Sequence, residues 1–82
     1  MNTNGESRTE FVHNLVEYRI FHVPGVNRLQ LWIVSPVSGR ELFDHGRSIP
    51  EGMTLSDAIE VMRAYTIGAI DLDEYNRLLP PE

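Results

Sequence analysis

The chain of 82 residues contains no cysteine and no lysine. Without cysteine there is no disulfide framework, no thiolate nucleophile and no thiolate metal ligand, which excludes zinc ribbons, redox motifs and cysteine hydrolases. The longest apolar run is far too short to cross a membrane, and the polar residues 1–7 lack the apolar core of a signal peptide. We therefore expect a cytoplasmic protein that is stabilised by the packing of its side chains.

The absence of lysine makes all seven basic residues arginine. Arginine is suited to bidentate contacts with carboxylates or phosphates and to stacking on aromatic rings. A GC-rich coding sequence also favours arginine codons over lysine codons, and we give that explanation more weight than a functional one.

Negative charge is concentrated in the second half of the chain. Residues 1–47 carry five carboxylates and five arginines, whereas residues 48–82 carry seven carboxylates against Arg63 and Arg77, which accounts for the formal net charge of −5. An acidic half beside a neutral half predicts either two surfaces with different partners or a partner on only one of them. It also argues against nucleic acid as the partner of the acidic half, because phosphates and carboxylates repel each other.

Apolar and β-branched residues predict three strands in the first half, and residues 11–14 before them are expected to form either a short strand or the start of the first one. Residues 15–23 end at a Pro-Gly turn, residues 29–34 end at Ser-Pro, and residues 40–44 alternate polar and apolar side chains as a short edge strand does. The first two strands are expected to form an antiparallel hairpin, which the third continues as a meander. Residues 45–53 contain two glycines and a proline and are expected to form a loop.

The second half changes to helical periodicity. Thr54 is suited to cap a helix, with Asp57 three residues later, and apolar side chains then recur along one stripe over residues 55–66. Gly68 is suited to end that helix, because glycine adopts the left-handed conformation readily. This pattern predicts an amphipathic helix that is able to cover a sheet.

A second, shorter helix is predicted next, since Asp71 and Glu74 repeat the capping pattern and two prolines follow. A twisted sheet has one face that must be covered, and the amphipathic helix provides that cover. The predicted fold is α+β: a three-stranded antiparallel β-meander packed against one amphipathic helix followed by a short second helix (βββαα). It forms a single domain over residues 11–82, behind a flexible N-terminal tail, residues 1–10.

No group of residues in the sequence predicts catalysis, a metal site or a cofactor. The spacings of the three histidines match no ligand motif, and the acidic run that begins at Asp71 lacks the later ligand and the glycine of a calcium loop. Asp44, His45 and Ser48 are the residue types of a hydrolytic triad, but the types alone do not provide its geometry. The dispersed glycines form no phosphate-binding loop. We expect a protein that is not an enzyme.

The two predicted helices have the outline of a helix-turn-helix. In DNA-binding proteins the second helix presents Arg, Lys, Asn or Gln to bases and phosphates, whereas this one opens with Asp71, Asp73 and Glu74. Because phosphates would repel these carboxylates, a pair of helices that packs on the sheet is the preferred interpretation.

The predicted hairpin has a candidate binding face. Its strand 29–34 has an aliphatic side, and the opposite side of the hairpin carries two arginines and two aromatic residues: Arg19, Phe21, Arg28 and Trp32. If the aliphatic side packs under the helix, the second side is free to bind a partner, since Trp and Arg are enriched at binding hot spots. A shift of one residue in the register would bury Trp32 instead, and the sequence leaves both registers open.

Three functions are consistent with these patterns. The first is a small acidic regulatory protein that binds another protein or a larger complex, either through the hairpin face or through helical carboxylates, for which the candidates are Glu60, Asp71, Asp73 and Glu74. In size, acidity and lack of a catalytic motif the chain resembles small accessory proteins of phages and mobile elements, which implies inhibition of a host complex. The second is a nucleic-acid-binding module that uses the hairpin face, although the net charge disfavours it. The third is a structural subunit that forms a homodimer.

Overall fold

The computed structural model describes residues 7–81, in which four strands are followed by two helices. The elements are strands β1 (Ser7–His13), β2 (Val16–Val23), β3 (Arg28–Val34) and β4 (Glu41–Ser48) and helices α1 (Leu55–Thr66) and α2 (Leu72–Leu78). The strands form one antiparallel sheet in the order β1-β2-β3-β4, so each strand lies beside the next one in the chain. The helices pack on one face of this meander and leave the other face open.

The α+β class, with an antiparallel sheet and two helices, is confirmed, but the sheet has four strands and not the three of the predicted βββαα order. The additional strand is β1, which takes in residues 7–10 of the segment predicted to be a flexible tail; the rest of that segment lies outside the described residues. The first four residues of this strand are polar, so the sequence gives no apolar pattern that predicts it. The strand is held by backbone pairing with β2 and by Tyr18 of β2, which stacks on Phe11 with ring centroids 5.3 Å apart.

Strand β4 runs past residue 44 into the segment that was predicted to be a loop, and a β-bulge interrupts it. Phe43 pairs with Trp32 and His45 pairs with Leu31, so Asp44 is an extra residue with no counterpart on β3. The extra residue shifts the alternation of side chains. As a result Phe43 lies on the open face and His45 lies on the face that the helices cover.

Both helices begin and end where the local sequence predicts. The Thr54 hydroxyl caps α1 by accepting the backbone N–H of Asp57 at 3.1 Å, and the Asp71 carboxylate caps α2 by accepting the N–H of Glu74 at 2.9 Å. After α1, Gly68 adopts a left-handed conformation with φ of 81°. This conformation lets the amides that follow the helix bond to its last carbonyl groups.

The core lies between the helices and the covered face of the sheet. The hairpin has the register that turns Leu29 and Leu31 toward the helices, where both are buried beside Ile20. The buried residues that the helical half contributes are Ile49, Ala58, Met62, Tyr75 and Leu79. Burial of this apolar surface is the main stabilising contribution to the fold. The same register places Trp32 on the open face.

Helix α1, the longer of the two, has 12 residues. Within residues 7–81 no helix has the length and apolar content that crossing a membrane requires.

Candidate protein-binding face

The candidate functional site is the uncovered side of the sheet. Strand register and alternation arrange its residues in four rows that run across the strands. In order from the β1–β2 turn, the rows are Val12, Glu17, Val34 and Glu41; then Glu10, Arg19, Trp32 and Phe43; then Arg8, Phe21, Gln30 and Gly46; and finally Val23, Arg28 and Ser48. These residues are named the open face.

Three aromatic rings form the apolar centre of the open face. The ring of Trp32 meets Phe21 edge to face with centroids 6.2 Å apart, and it meets Phe43 in the same manner at 5.3 Å. The indole N–H donates to the side-chain oxygen of Gln30 at 3.2 Å, which fixes the orientation of the indole ring. Phe43 is 53% exposed, so the cluster is held in place but still presents apolar surface to solvent.

Arg19 lies beside the aromatic centre and is surrounded by carboxylates. Its guanidinium forms ion pairs with Glu10 at 3.5 Å, with Glu17 at 3.2 Å and with Glu41. The hydrogen bond with Glu41 raises the pKa of Arg19 above its ordinary value, and Glu17 adds to this rise against the opposing effect of burial. The arginine is therefore held by carboxylates of three strands.

The Arg19 network covers part of the sheet that no helix covers. Val34 lies on the open face between Glu17 and Glu41 in its row, and Arg19 bonds to both of those carboxylates. Although Val34 is not part of the core cluster, it is only 9% exposed. Ion-paired side chains thus shield apolar surface here, while Trp32 and Phe43 beside them stay accessible.

The far end of the open face carries the remaining arginines. Arg8 pairs with Glu10 at 3.1 Å, and the guanidinium of Arg28 lies across Gly46, where a Cβ would be 2.7 Å from its Nη2 atom. Arg28 is therefore also engaged with its neighbours. The described residues of the open face contain three arginines and three glutamates in all, which makes the face electrically neutral.

The structure brings together one of the two predicted groups of site residues and separates the other. Arg19, Phe21, Arg28 and Trp32 all lie on the open face. The helical carboxylates lie on the opposite side of the sheet, and most of them have local partners. Glu60 and Glu74 pair with the arginines three residues later, at 3.5 and 2.5 Å, Asp71 caps α2, and Asp73 lies exposed in the first turn of α2.

Four residues that form the Arg19 network or the aromatic centre of the open face were not among the predicted site residues. Glu17 is separated from Arg19 by one residue, so strand alternation was a sufficient signal for it. Glu10 fell in the predicted tail, and Glu41 and Phe43 lie on an edge strand whose bulge reverses the alternation after Phe43. No local pattern in the sequence predicts that Glu10, Glu41 and Phe43 lie on the open face.

A second group of polar residues joins β4 to α2 on the covered face. His45 Nδ1 lies 2.5 Å from an oxygen of Asp44, and its Nε2 lies 2.7 Å from the hydroxyl of Tyr75. Tyr75 is fully buried, and this burial raises the pKa of its hydroxyl well above the ordinary value. A phenol held in this way stays protonated, forms a structural link with His45 and is poorly suited to act as a nucleophile.

Aromatic and cationic groups surround Tyr75. The ring of Tyr65 stacks on it with centroids 4.2 Å apart and an interplanar angle of 4°. The Arg47 guanidinium lies 4.3 Å from the centre of the Tyr75 ring and donates to the side chain of Asn76 at 2.8 Å and to the carbonyl of Leu79 at 2.7 Å. These contacts fix α2 on the covered face of the sheet and leave the open face uncovered.

The sequence was compared with known proteins in three ways. A family model described as Mycobacterium phage L5 gene 74 protein matches residues 9–81, which is nearly the whole chain. Neither the curated proteins nor the solved structures gave a match.

Proposed function

The chain belongs to the family of the Mycobacterium phage L5 gene 74 protein, and we propose that it acts without catalysis, by binding another protein through the open face. The partner is a protein or part of a larger complex. The role that follows is that of a phage accessory protein which regulates or inhibits its partner by occupying a surface.

The observation that carries this proposal is the aromatic centre of the open face. Trp32 and Phe43 are held edge to face and are flanked by Arg19, and the face that they occupy is not covered by either helix. Tryptophan and arginine dominate binding energy at protein interfaces, particularly where charged residues surround an apolar centre. A sheet face built for solvent alone has no need of this cluster.

Nucleic acid is the weaker alternative as a partner. Binding to phosphates requires arginines that exchange their counterions for the nucleic acid backbone. On the open face Arg19 pairs with three carboxylates and Arg8 pairs with Glu10, so each of these carboxylates would repel an approaching phosphate. Neutrality of the open face and the net charge of −5 therefore favour a protein.

A role without catalysis is supported by the use that the fold makes of its polar residues. Among residues 7–81, the arrangement most similar to a catalytic one is the series Asp44, His45 and Tyr75, and its last member is fully buried within the core. Substrate cannot reach a group in that position. The series instead stabilises the attachment of α2.

The proposal is tested by affinity capture from a mycobacterial lysate, with the wild-type chain and two matched variants as bait. Phe43→Ser removes exposed apolar surface from the open face, and Leu72→Ser removes a residue of similar exposure, 50%, from α2. We expect a host protein to be captured by the wild type and by Leu72→Ser and to be lost with Phe43→Ser. Capture that is equal for all three baits would contradict binding through the open face.

The alternative is tested with the fluorescence of Trp32, the single tryptophan of the chain. Because Trp32 lies in the open face, a base that stacked there would quench its emission. We expect no quenching by single-stranded RNA or duplex DNA at low salt. Quenching that weakens as salt is added would instead favour nucleic acid as the partner.

A further inference from the structure

We infer that a second copy of this chain covers the open face and forms a two-fold symmetric dimer with it. This inference rests on the proposed function, because it names a protein that the open face binds. It is carried by the distribution of charge along the strands, which makes the open face complementary to itself.

The two ends of the open face have opposite charge. The acidic end consists of the two rows nearest the β1–β2 turn, where Arg19 is the one arginine among three glutamates; its charged residues are Glu10, Glu17, Arg19 and Glu41. The basic end consists of the other two rows, whose charged residues among those described are Arg8 and Arg28. Both of these arginines contact neighbouring residues, so the ends differ in net charge and not in the presence of free side chains.

Two copies that pack face to face with two-fold symmetry have two simple arrangements. An axis parallel to the strands places the acidic end of one copy over the acidic end of the other, which is repulsive. An axis across the strands places each acidic end over the basic end of the other copy, and the aromatic rings meet between them. Charge complementarity therefore selects the axis across the strands.

This axis also determines which residues face each other. It passes between the row of Trp32 and the row of Phe21, so each strand lies over the same strand of the second copy. Glu10 then faces Arg8 of the second copy, and Arg19 faces the ring of Phe21 of the second copy, where a cation–π contact is favourable. Each contact occurs twice because of the symmetry. The usual angle between packed sheets rotates the copies modestly relative to each other.

The area of the open face suits a dimer of moderate affinity. Four strands about 4.8 Å apart, with seven or eight residues each rising about 3.4 Å, cover roughly 480 Å² in projection. This projected area is smaller than the value of about 800 Å² per partner that is typical of specific interfaces. We therefore expect a dimer that dissociates on dilution.

The first test uses the wild-type chain alone. Sedimentation equilibrium over about a hundredfold range of concentration is expected to show a monomer that becomes a dimer, and the emission of Trp32 is expected to shift to shorter wavelength over the same range as the indole loses water. Phe43→Arg is expected to weaken the dimer by about tenfold or more, because it places a cation at the aromatic centre. Leu72→Arg on α2 is the control and is expected to leave the dimer unchanged.

The second test determines the orientation. Arg8→Glu and Glu10→Arg each place like charges opposite each other in the dimer, so each variant alone is expected to be mainly monomeric. When the two variants are mixed in equal amounts, Glu10 of one copy meets Arg8 of the other, and dimer is expected to form. Mixing does not alter the fold of either chain, so the gain reports the contact between copies. Circular dichroism of each variant before mixing verifies that it is folded.

The outcomes separate this inference from the proposed function. A chain that stays monomeric at every concentration overturns the dimer, whereas capture of a host protein that is lost with Phe43→Ser still supports binding through the open face. A dimer that Phe43→Arg does not weaken places the interface elsewhere and also overturns the inference. If both single variants lose the dimer and their mixture does not regain it, the axis across the strands is wrong. A host protein that used the same face would dissociate the dimer on binding.

Discussion

The hydroxyl of Tyr75 lies 2.7 Å from Nε2 of His45, and this hydrogen bond joins helix α2 to strand β4 across 30 residues of sequence. Asp44 holds the other ring nitrogen of His45 at 2.5 Å. With a proton on Nδ1 that is shared with Asp44, Nε2 is the acceptor and the tyrosine is the donor. Both ring nitrogens of His45 are thus matched with a partner.

We expect Tyr75→Phe to lower the free energy of unfolding by about 1–2 kcal/mol, because it leaves the acceptor nitrogen of His45 without its donor. The ring would still stack on Tyr65, so the fold is retained. Urea unfolding at neutral pH measures the change. Tyr18→Phe, at a half-buried position outside this hydrogen-bonded series, is the control, and an equal loss in the two variants would show that the Tyr75 hydroxyl contributes nothing specific.

The same hydroxyl makes stability depend on alkaline pH. In the unfolded chain Tyr75 ionises near pH 10, whereas burial in the folded chain raises its pKa above that value. The stabilisation that the protonated Tyr75 hydroxyl contributes is therefore complete below about pH 10. It is lost as pH rises further, by at most about 1.4 kcal/mol for each pH unit. The difference in unfolding free energy between wild type and Tyr75→Phe is expected to narrow above that pH. A difference that stays constant from pH 8 to pH 11 would contradict the shift.

Arg47→Lys tests how α2 is attached. The Arg47 guanidinium donates to Asn76 and to the carbonyl of Leu79 while it lies over the ring of Tyr75, and the single ammonium group of lysine cannot reproduce all three contacts. We expect a loss of about 1–2 kcal/mol in urea unfolding and faster hydrogen exchange at the amides of α2. The exposed Arg40 is the matched position, where the same substitution is expected to have no measurable effect. Equal exchange rates in both variants would refute this role of Arg47.

Gly46→Ala tests the packing of Arg28 on the sheet. A Cβ at Gly46 would lie 2.7 Å from Nη2 of Arg28 and 3.3 Å from the carbonyl oxygen of Leu29, so the arginine must move and the strand must adjust. A loss of about 1 kcal/mol in thermal or urea unfolding is expected. At Gly25, where a Cβ meets nothing within 4 Å, the same substitution is expected to be neutral. If both substitutions are neutral, the packing of Arg28 does not require the absence of a side chain at position 46.

The helix boundaries were predictable because their causes are local. Thr54 and Asp71 each bond to an amide three residues away, and Gly68 adopts its left-handed conformation at the end of α1. Strand β1 was not predictable in this way. Its polar residues become ordered through pairing with β2, and that pairing is a property of the tertiary structure.

The candidate site was predictable only as far as strand alternation, which is a local property, determines which residues share a face. Alternation along β2 and β3 groups Arg19 and Trp32 correctly once the register is known, but the sequence allows two registers and gives no measure of burial to separate them. The contact of Arg19 with Glu41 crosses 22 residues of sequence, and that of His45 with Tyr75 crosses 30. Such contacts follow only after the sheet and the helices have been assembled.

The bulge at Asp44 has a consequence for association along the edge of the sheet. A regular edge strand exposes an unbroken series of amide and carbonyl groups, which acts as a template for strands of other molecules and leads to aggregation. In β4 the extra residue breaks the spacing of those groups, so an added strand cannot pair along its whole length. The bulge therefore caps the sheet at this edge and leaves the uninterrupted strand β1 as the edge at which further strands would add.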